Sequence, residues 1–290
     1  MQLKDDWRPL YPFQSHYFTL GENRMHFVDE GGGAPLLMVH GNPTWSFYWR
    51  NLVVGLRDQW RTIVPDHMGC GLSDKPQKYR YTLAQHIENL LRLIEHLDLR
   101  EITLLVHDWG GAIGLGAALQ ARERFNRFVL FNTGAFPPPY IPWRIQLCRL
   151  PVVGALAVRG LNVFARAALS MATEKPERMT GAVRAGLLAP YDSWAHRIAI
   201  QRFVADIPST KSHPNWNILA AIERDLPTIA DRPVQMIWGM RDWCFTPECL
   251  DRLLQSLPGS QVHRFDDAGH YVIEDAHERI VPIVRDFLQR

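Results

Sequence analysis

The stretch Ile102–Thr103–Leu104–Leu105–Val106–His107–Asp108–Trp109–Gly110–Gly111, with the small residues Ala112 to Ala121 behind it, decides how this chain is read. Its first five residues form an unbroken run rich in aliphatic side chains, the pattern of a strand buried on both faces. Two glycines just past Asp108 allow a sharp turn from strand into helix. Such a turn lifts one side chain above the sheet, at the amino end of the helix. Here that side chain is a carboxylate, and Val106 stands where a glycine often opens this turn. Asp108 is then one of two things. It is a nucleophile whose charge is held by the Trp109 backbone N–H and the helix dipole, or it is an N-cap of the helix.

Outward from this point, apolar runs and helical periods alternate. Strands are predicted at Ser15–Leu20, Met25–Asp29, Leu36–Val39, Thr62–Asp66, Ile102–Val106, Phe128–Phe131, Val234–Trp238 and Gln261–Phe265. Helices are predicted at Phe47–Leu56, from Leu83 to Leu97, over Ala112–Ala121, near Pro247–Ser256 and over Glu274–Leu288. Leu83, Ile87, Leu90, Leu91, Ile94 and Leu97 share one face, and Thr82 with Gln85 forms a T-x-x-Q capping box. This alternation predicts an α/β chain with a mostly parallel sheet covered by helices on both faces. From Gly134 the strands stop, and Pro137–Pro138–Pro139 opens an Ala-, Arg- and Trp-rich helical region. Residues 1–133 and 216–290 are expected to form the core domain. Residues 134–215 are expected to form a helical cap inserted after the sixth strand.

Composition narrows the function. The chain has 290 residues, 47% apolar and 21% charged, with 32 Lys+Arg against 30 Asp+Glu and a net charge of +2. That balance gives no basic face for nucleic acid and argues against disorder. Cys70, Cys148, Cys244 and Cys249 have no paired or ligand spacing, so neither a disulfide framework nor a zinc site is expected, and the thiols fit a cytoplasmic protein. Met1–Arg8 lacks an apolar core of the kind a signal peptide needs. The apolar stretch Leu147–Leu169 carries Arg149, Pro151, Arg159 and Arg166, so it reads as a greasy helix over a lipid-sized pocket, not a membrane span. An exposed apolar cap would also suit contact with partner enzymes or a membrane face.

Three further segments carry candidate chemistry. His40–Gly41–Asn42–Pro43 follows an early strand and would face Asp108. Its backbone N–H, the Asn42 amide and the Trp109 indole N–H would converge on an anion. Asp242 follows the Val234–Trp238 strand, and His270 follows the next. The chain order 108, 242, 270 is nucleophile, acid, base. His107 should point away from the nucleophile, and His67, His86, His96 and His263 read as surface or packing residues. Trp143, Leu147, Leu150, Val153, Leu156 and Phe164 are candidates either for a substrate channel or for the cap's own core.

These residues resemble the Asp-nucleophile branch of the α/β-hydrolase superfamily. His40–Trp45 with Asp108–Trp109–Gly110 is similar to haloalkane dehalogenases, and Asn132 stands where many of those carry their acid. The resemblance therefore moves the acid to Asp242. Pro65–Pro76, Ala189–Trp194, Arg202–Pro208 and Gly269–Asp275 look most like the β-lactone decarboxylases of bacterial long-chain olefin biosynthesis. The resemblance implies Asp108, Asp242 and His270 as catalytic residues, Asn42 and Trp109 as holders of the leaving anion, and no metal or organic cofactor. It implies cis-3,4-dialkyl β-lactones as substrates, with a haloalkane dehalogenase as the alternative and an epoxide hydrolase third, the last needing Tyr140 or Tyr191 as acids. It also implies other pathway enzymes as partners, a β-lactone synthetase above all and a reductase, in an assembly.

Overall fold

The computed structural model describes residues 7–290, so the reading of Met1–Arg8 as leaderless falls largely outside the described residues. Eight strands form one sheet: β1 Ser15–Leu20, β2 Asn23–Glu30, β3 Pro35–Val39, β4 Arg61–Pro65, β5 Ile102–Asp108, β6 Phe125–Thr133, β7 Val234–Gly239 and β8 Gln261–Phe265. Their order is β1-β2-β4-β3-β5-β6-β7-β8. Pairing is antiparallel at β1–β2 and β2–β4 and parallel from β4 through β8. All eight predicted strands are present.

The period-two alternation of the strands divides the apolar residues between two cores. Leu37, Val39, Leu104, Val106 and Leu130 join one, and Leu36, Met38, Leu105, Val129 and Phe131 join the other. The first core is closed by α2 (Leu83–His96), α3 (Trp109–Gln120), α9 (Pro214–Asp225) and α10 (Pro247–Ser256), the second by α1 (Arg50–Leu56) and α11 (Val272–Gln289). α3 is built of small residues because it lies close on the sheet: a Cβ on Gly114 would sit 2.6 Å from Val106. A buried ion pair, Arg50 to Glu274 at 2.5 and 2.8 Å, ties α1 to α11.

Two local expectations need correction. Thr82 caps α2 by accepting from the Gln85 N–H, but Gln85 donates to Glu88 and Asn89 instead of returning to Thr82. The Thr82 N–H already donates to the Arg80 carbonyl, so half the box has no work left. The apolar stretch Leu147–Leu169 is not one helix. It is the end of α4 (Trp143–Arg149), a short α5 (Val153–Ala155) running into a π-helical turn at Leu156–Gly160, and α6 (Val163–Met171). Pro151 denies a continuing helix its N–H, Asn162 takes a left-handed conformation at φ 55°, and the two later segments bend by 70°. α7 (Gly181–Leu188) and α8 (Ile198–Ala205) complete the helices between β6 and α9, a segment in which the described residues form no strand.

Candidate active site

Strand order reverses between β3 and β5, since the chain leaves β3 for β4 on one side and β5 for β6 on the other. Side chains at the carboxyl ends of these two strands border the crevice that such a reversal opens. Asn42 follows β3 and Asp108 ends β5. Asp108 has φ 54° and ψ −127°, a backbone that non-glycine residues rarely adopt and that costs on the order of 1–3 kcal/mol. The turn is held from both sides. A Cβ on Gly110 would lie 2.1 Å from the Val39 carbonyl oxygen, and the Thr133 hydroxyl donates to the Asp108 carbonyl at 2.5 Å.

The Asp108 side chain makes no capping hydrogen bond to the interior of α3. Its Oδ1 accepts instead from the Asn42 backbone N–H at 2.7 Å. Its Oδ2 lies 3.7 Å from His270 Nε2. Burial raises the Asp108 pKa, only partly countered by the charge of His270 and by the N–H groups of Asn42 and Trp109. The bent backbone thus presents a desolvated carboxylate with one oxygen anchored and the other open to the cavity.

His270 Nδ1 and Asp242 Oδ2 are 2.8 Å apart. Asp242 Oδ1 accepts from the N–H groups of Cys244 and Phe245 at 2.7 and 3.0 Å, so this carboxylate is fixed at both oxygens. Burial pulls the His270 pKa down, but the charge and hydrogen bond of Asp242 and the charge of Asp108 outweigh it, leaving the ring above its ordinary value. The structure brings together Asp108, Asp242 and His270, three residues far apart in sequence.

Asn132 has a part that sequence reading missed. Its amide donates to Asp242 Oδ2 at 3.0 Å and to the Gly239 carbonyl at 3.0 Å, while its oxygen accepts from the Gly239 N–H at 2.8 Å. It clamps the end of β7 and aims Asp242. A polar residue at the carboxyl end of a buried parallel strand was the available signal. His107 does point away from Asp108, yet it is not remote: its Nε2 bonds the His270 carbonyl oxygen at 2.9 Å and its ring lies 4.5 Å from that of His270. His67 and His86 are buried packing residues beneath the His40 loop, with His86 stacked on Phe203.

Asn42 and Trp109 both border a cavity of about 550 Å³ that also holds Asp108 and His270. One Asn42 amide hydrogen is committed to the Ile200 carbonyl at 3.3 Å, so only the other is free for an anion. The Trp109 indole N–H donates to no group among the described residues. Trp143, Leu147 and Phe164 line the cavity, as do Val153, Phe136 and Phe245. Leu150 and Leu156 do not. They are about half exposed and face away from the cavity. Tyr140 reaches the cavity, whereas Tyr191 is buried elsewhere and donates to the Thr44 carbonyl.

Comparison with known proteins identifies the family and the fold. The sequence profile of the α/β-hydrolase fold family matches residues 34–276. The cis-3-alkyl-4-alkyloxetan-2-one decarboxylase of Shewanella oneidensis is 43% identical over 285 residues, covering 96% of this chain and 89% of that protein. The protein of the same name from Xanthomonas campestris pv. campestris is 44% identical, covering 92% of each. Among solved structures, a Y109W mutant of the haloalkane dehalogenase DatA from Agrobacterium tumefaciens superposes with a TM-score of 0.86 over 100% of both chains at 23% identity. That last likeness is one of fold.

Proposed function

The chain belongs to the α/β-hydrolase fold family, in the group of the cis-3-alkyl-4-alkyloxetan-2-one decarboxylases, and on that premise we propose that it converts cis-3,4-dialkyl β-lactones to cis-olefins and carbon dioxide with Asp108 as nucleophile. The observation that carries the chemistry is the Asp108 carboxylate, with one oxygen anchored at 2.7 Å and the other facing an apolar cavity of about 550 Å³.

Asp108 Oδ2 attacks the ring carbon that bears the lactone oxygen. The carbon–oxygen bond breaks with inversion, giving an alkyl ester of Asp108 and a free carboxylate on the neighbouring carbon. The indole N–H of Trp109 and the free amide hydrogen of Asn42 hold that carboxylate as it forms. Loss of carbon dioxide then supplies the electron pair of the new double bond as the Asp108 carboxylate departs from the opposite face. Inversion followed by anti departure is a net syn process, so a cis-lactone gives a cis-olefin. No proton and no water enter the balance. His270, held by Asp242, acts through charge: as imidazolium it favours the ionised form of a carboxylate that burial would otherwise protonate.

Residues 134–215 act in this reading as a cap that closes the site from solvent. The enzyme works in the cytoplasm beside the synthetase that makes its β-lactone and the reductase that precedes it. A second reading rests on one distance, the 3.7 Å between His270 Nε2 and Asp108 Oδ2. It leaves room for the imidazole to direct water onto an ester and hydrolyse a haloalkane.

Gas chromatography–mass spectrometry of a synthetic cis-dialkyl β-lactone, with a cool inlet against thermal decarboxylation, separates the two. The wild-type protein is expected to form cis-olefin and Asp108→Asn to form none above background. A hydroxy acid, unchanged lactone or an active Asp108→Asn would overturn the proposal, and bromide release from a bromoalkane would then favour hydrolysis.

A further inference from the structure

Most of the large apolar side chains that the fold leaves exposed lie between Tyr140 and Val163. Trp143 is 65% exposed, Val152 71%, Val153 62% and Leu161 71%. Such a cluster needs a partner surface. From Gly134 to Thr173 the chain carries Arg144, Arg149, Arg159 and Arg166 and no Asp, Glu or Lys. Among the described residues, none of these four guanidinium groups is within ion-pair distance of a carboxylate. Of the acids that follow, Glu174 pairs with Arg241 and Asp192 with His196, while the exposed Glu177 pairs with none of these four arginines. The face is therefore apolar at its centre and uncompensated positive around it. Arg144 and Arg159 also lie over the exposed rings of Trp143 and Trp194, so cation and aromatic stand side by side.

We infer that this face docks onto an anionic phospholipid surface. Three observations choose lipid over a protein partner. The charge is all of one sign, matching the negative potential of a bilayer surface. Trp143, Leu147 and Val153 are exposed and also line the site cavity, so the mouth of the cavity lies within the apolar patch. The helices beneath it are short and bent by 70°, with Val158, Ala165 and Leu169 buried in the protein, so the face can lie in the interface but not cross it. An apolar substrate dissolved in the bilayer would then enter the cavity without crossing water. The inference goes beyond the proposed reaction and does not depend on which chemistry occurs inside.

The test is flotation of the full chain with vesicles of phosphatidylcholine alone or with about a third phosphatidylglycerol. Expected is binding to the anionic vesicles at least about tenfold tighter than to the neutral ones, weakened by salt. Leu156→Glu with Leu161→Glu, both outside the cavity lining, should abolish binding. Arg149→Ser with Arg166→Ser should weaken it by about fivefold per arginine. Turnover of a water-dispersed short-chain lactone should be unchanged in both variants, which separates this inference from the reaction itself. No vesicle binding by the wild-type chain would overturn it, as would binding insensitive to the glutamates. So would a dimer in solution that the same glutamates dissociate, since a second copy would then own the face.

Discussion

At the scale of single residues, the proposed reaction depends on one ionised carboxylate in an apolar cavity and one imidazole raised above its ordinary pKa. Burial lifts the Asp108 pKa, so kcat/KM should begin to fall in acid above the ordinary carboxylate range as Asp108 takes up a proton. Burial alone would lower the His270 value, but Asp242 and Asp108 raise it. If imidazolium is the useful form, the rate should fall again as pH rises through that raised value, giving a bell whose limbs belong to the coupled pair. A reaction needing neutral His270 as base would gain rate on the same alkaline limb, so a rate profile across both limbs decides its role. Asn132 is a positioning residue in this scheme. Asn132→Ala removes a hydrogen bond from Asp242 and leaves His270 facing a less polarised carboxylate. We expect kcat to drop about tenfold at nearly constant KM, with the alkaline limb moved upward; an unmoved limb would mean that Asn132 only holds β7. The sequence offered Asp108, Asp242 and His270 because each follows a recognisable strand. It hid the Asn132 clamp because hydrogen bonding between two strand ends has no local pattern.

At the scale of elements, the strands and most long helices were legible because their periodicities are physical consequences of burial; α9 (Pro214–Asp225) was missed. The segment from Trp143 to Met171 was not legible as separate helices: it is mostly apolar apart from four arginines, and only Pro151 and Asn162 mark where helices end. Capping was half legible, since Gln85 can satisfy Thr82 only if the Thr82 N–H is free, and it is not. The joint between α1 and α11 yields a stability prediction. Arg50 and Glu274 are 4% and 2% exposed, and removing one partner leaves a buried charge unpaired. Glu274→Ala should cost about 3–5 kcal/mol. Thermal unfolding should show a drop of roughly 10 °C, and the apolar pair Arg50→Met with Glu274→Met should recover most of it. A single variant as stable as wild type would show that water reaches the pair.

At the scale of the molecule, the cavity is made jointly by strand ends and by the helices between β6 and α9. The sequence pointed to a lipid-sized pocket beneath the Leu147–Leu169 stretch, but not to its shape or to the strand ends that close it. Ala168 on α6 lines that cavity. Ala168→Phe should slow long-chain lactones by about tenfold relative to short-chain ones, with thermal stability nearly unchanged, measured as olefin formed from a chain-length series. Equal slowing for all lengths would mean that the alkyl arms lie elsewhere.

The dispersal of the site along the chain has a consequence for how activity is acquired. Asn42, Asp108, Asn132, Asp242 and His270 hang from the ends of different strands, and β8 joins the sheet only beside β7. No fragment that stops short of β8 can hold the triad, because its imidazole follows that strand. Contacts of such high sequence separation are slow to form. In refolding, catalysis should therefore return only when the final edge of the sheet is in place, making turnover a probe of the last assembly step, while tryptophan fluorescence from the first half reports earlier ones.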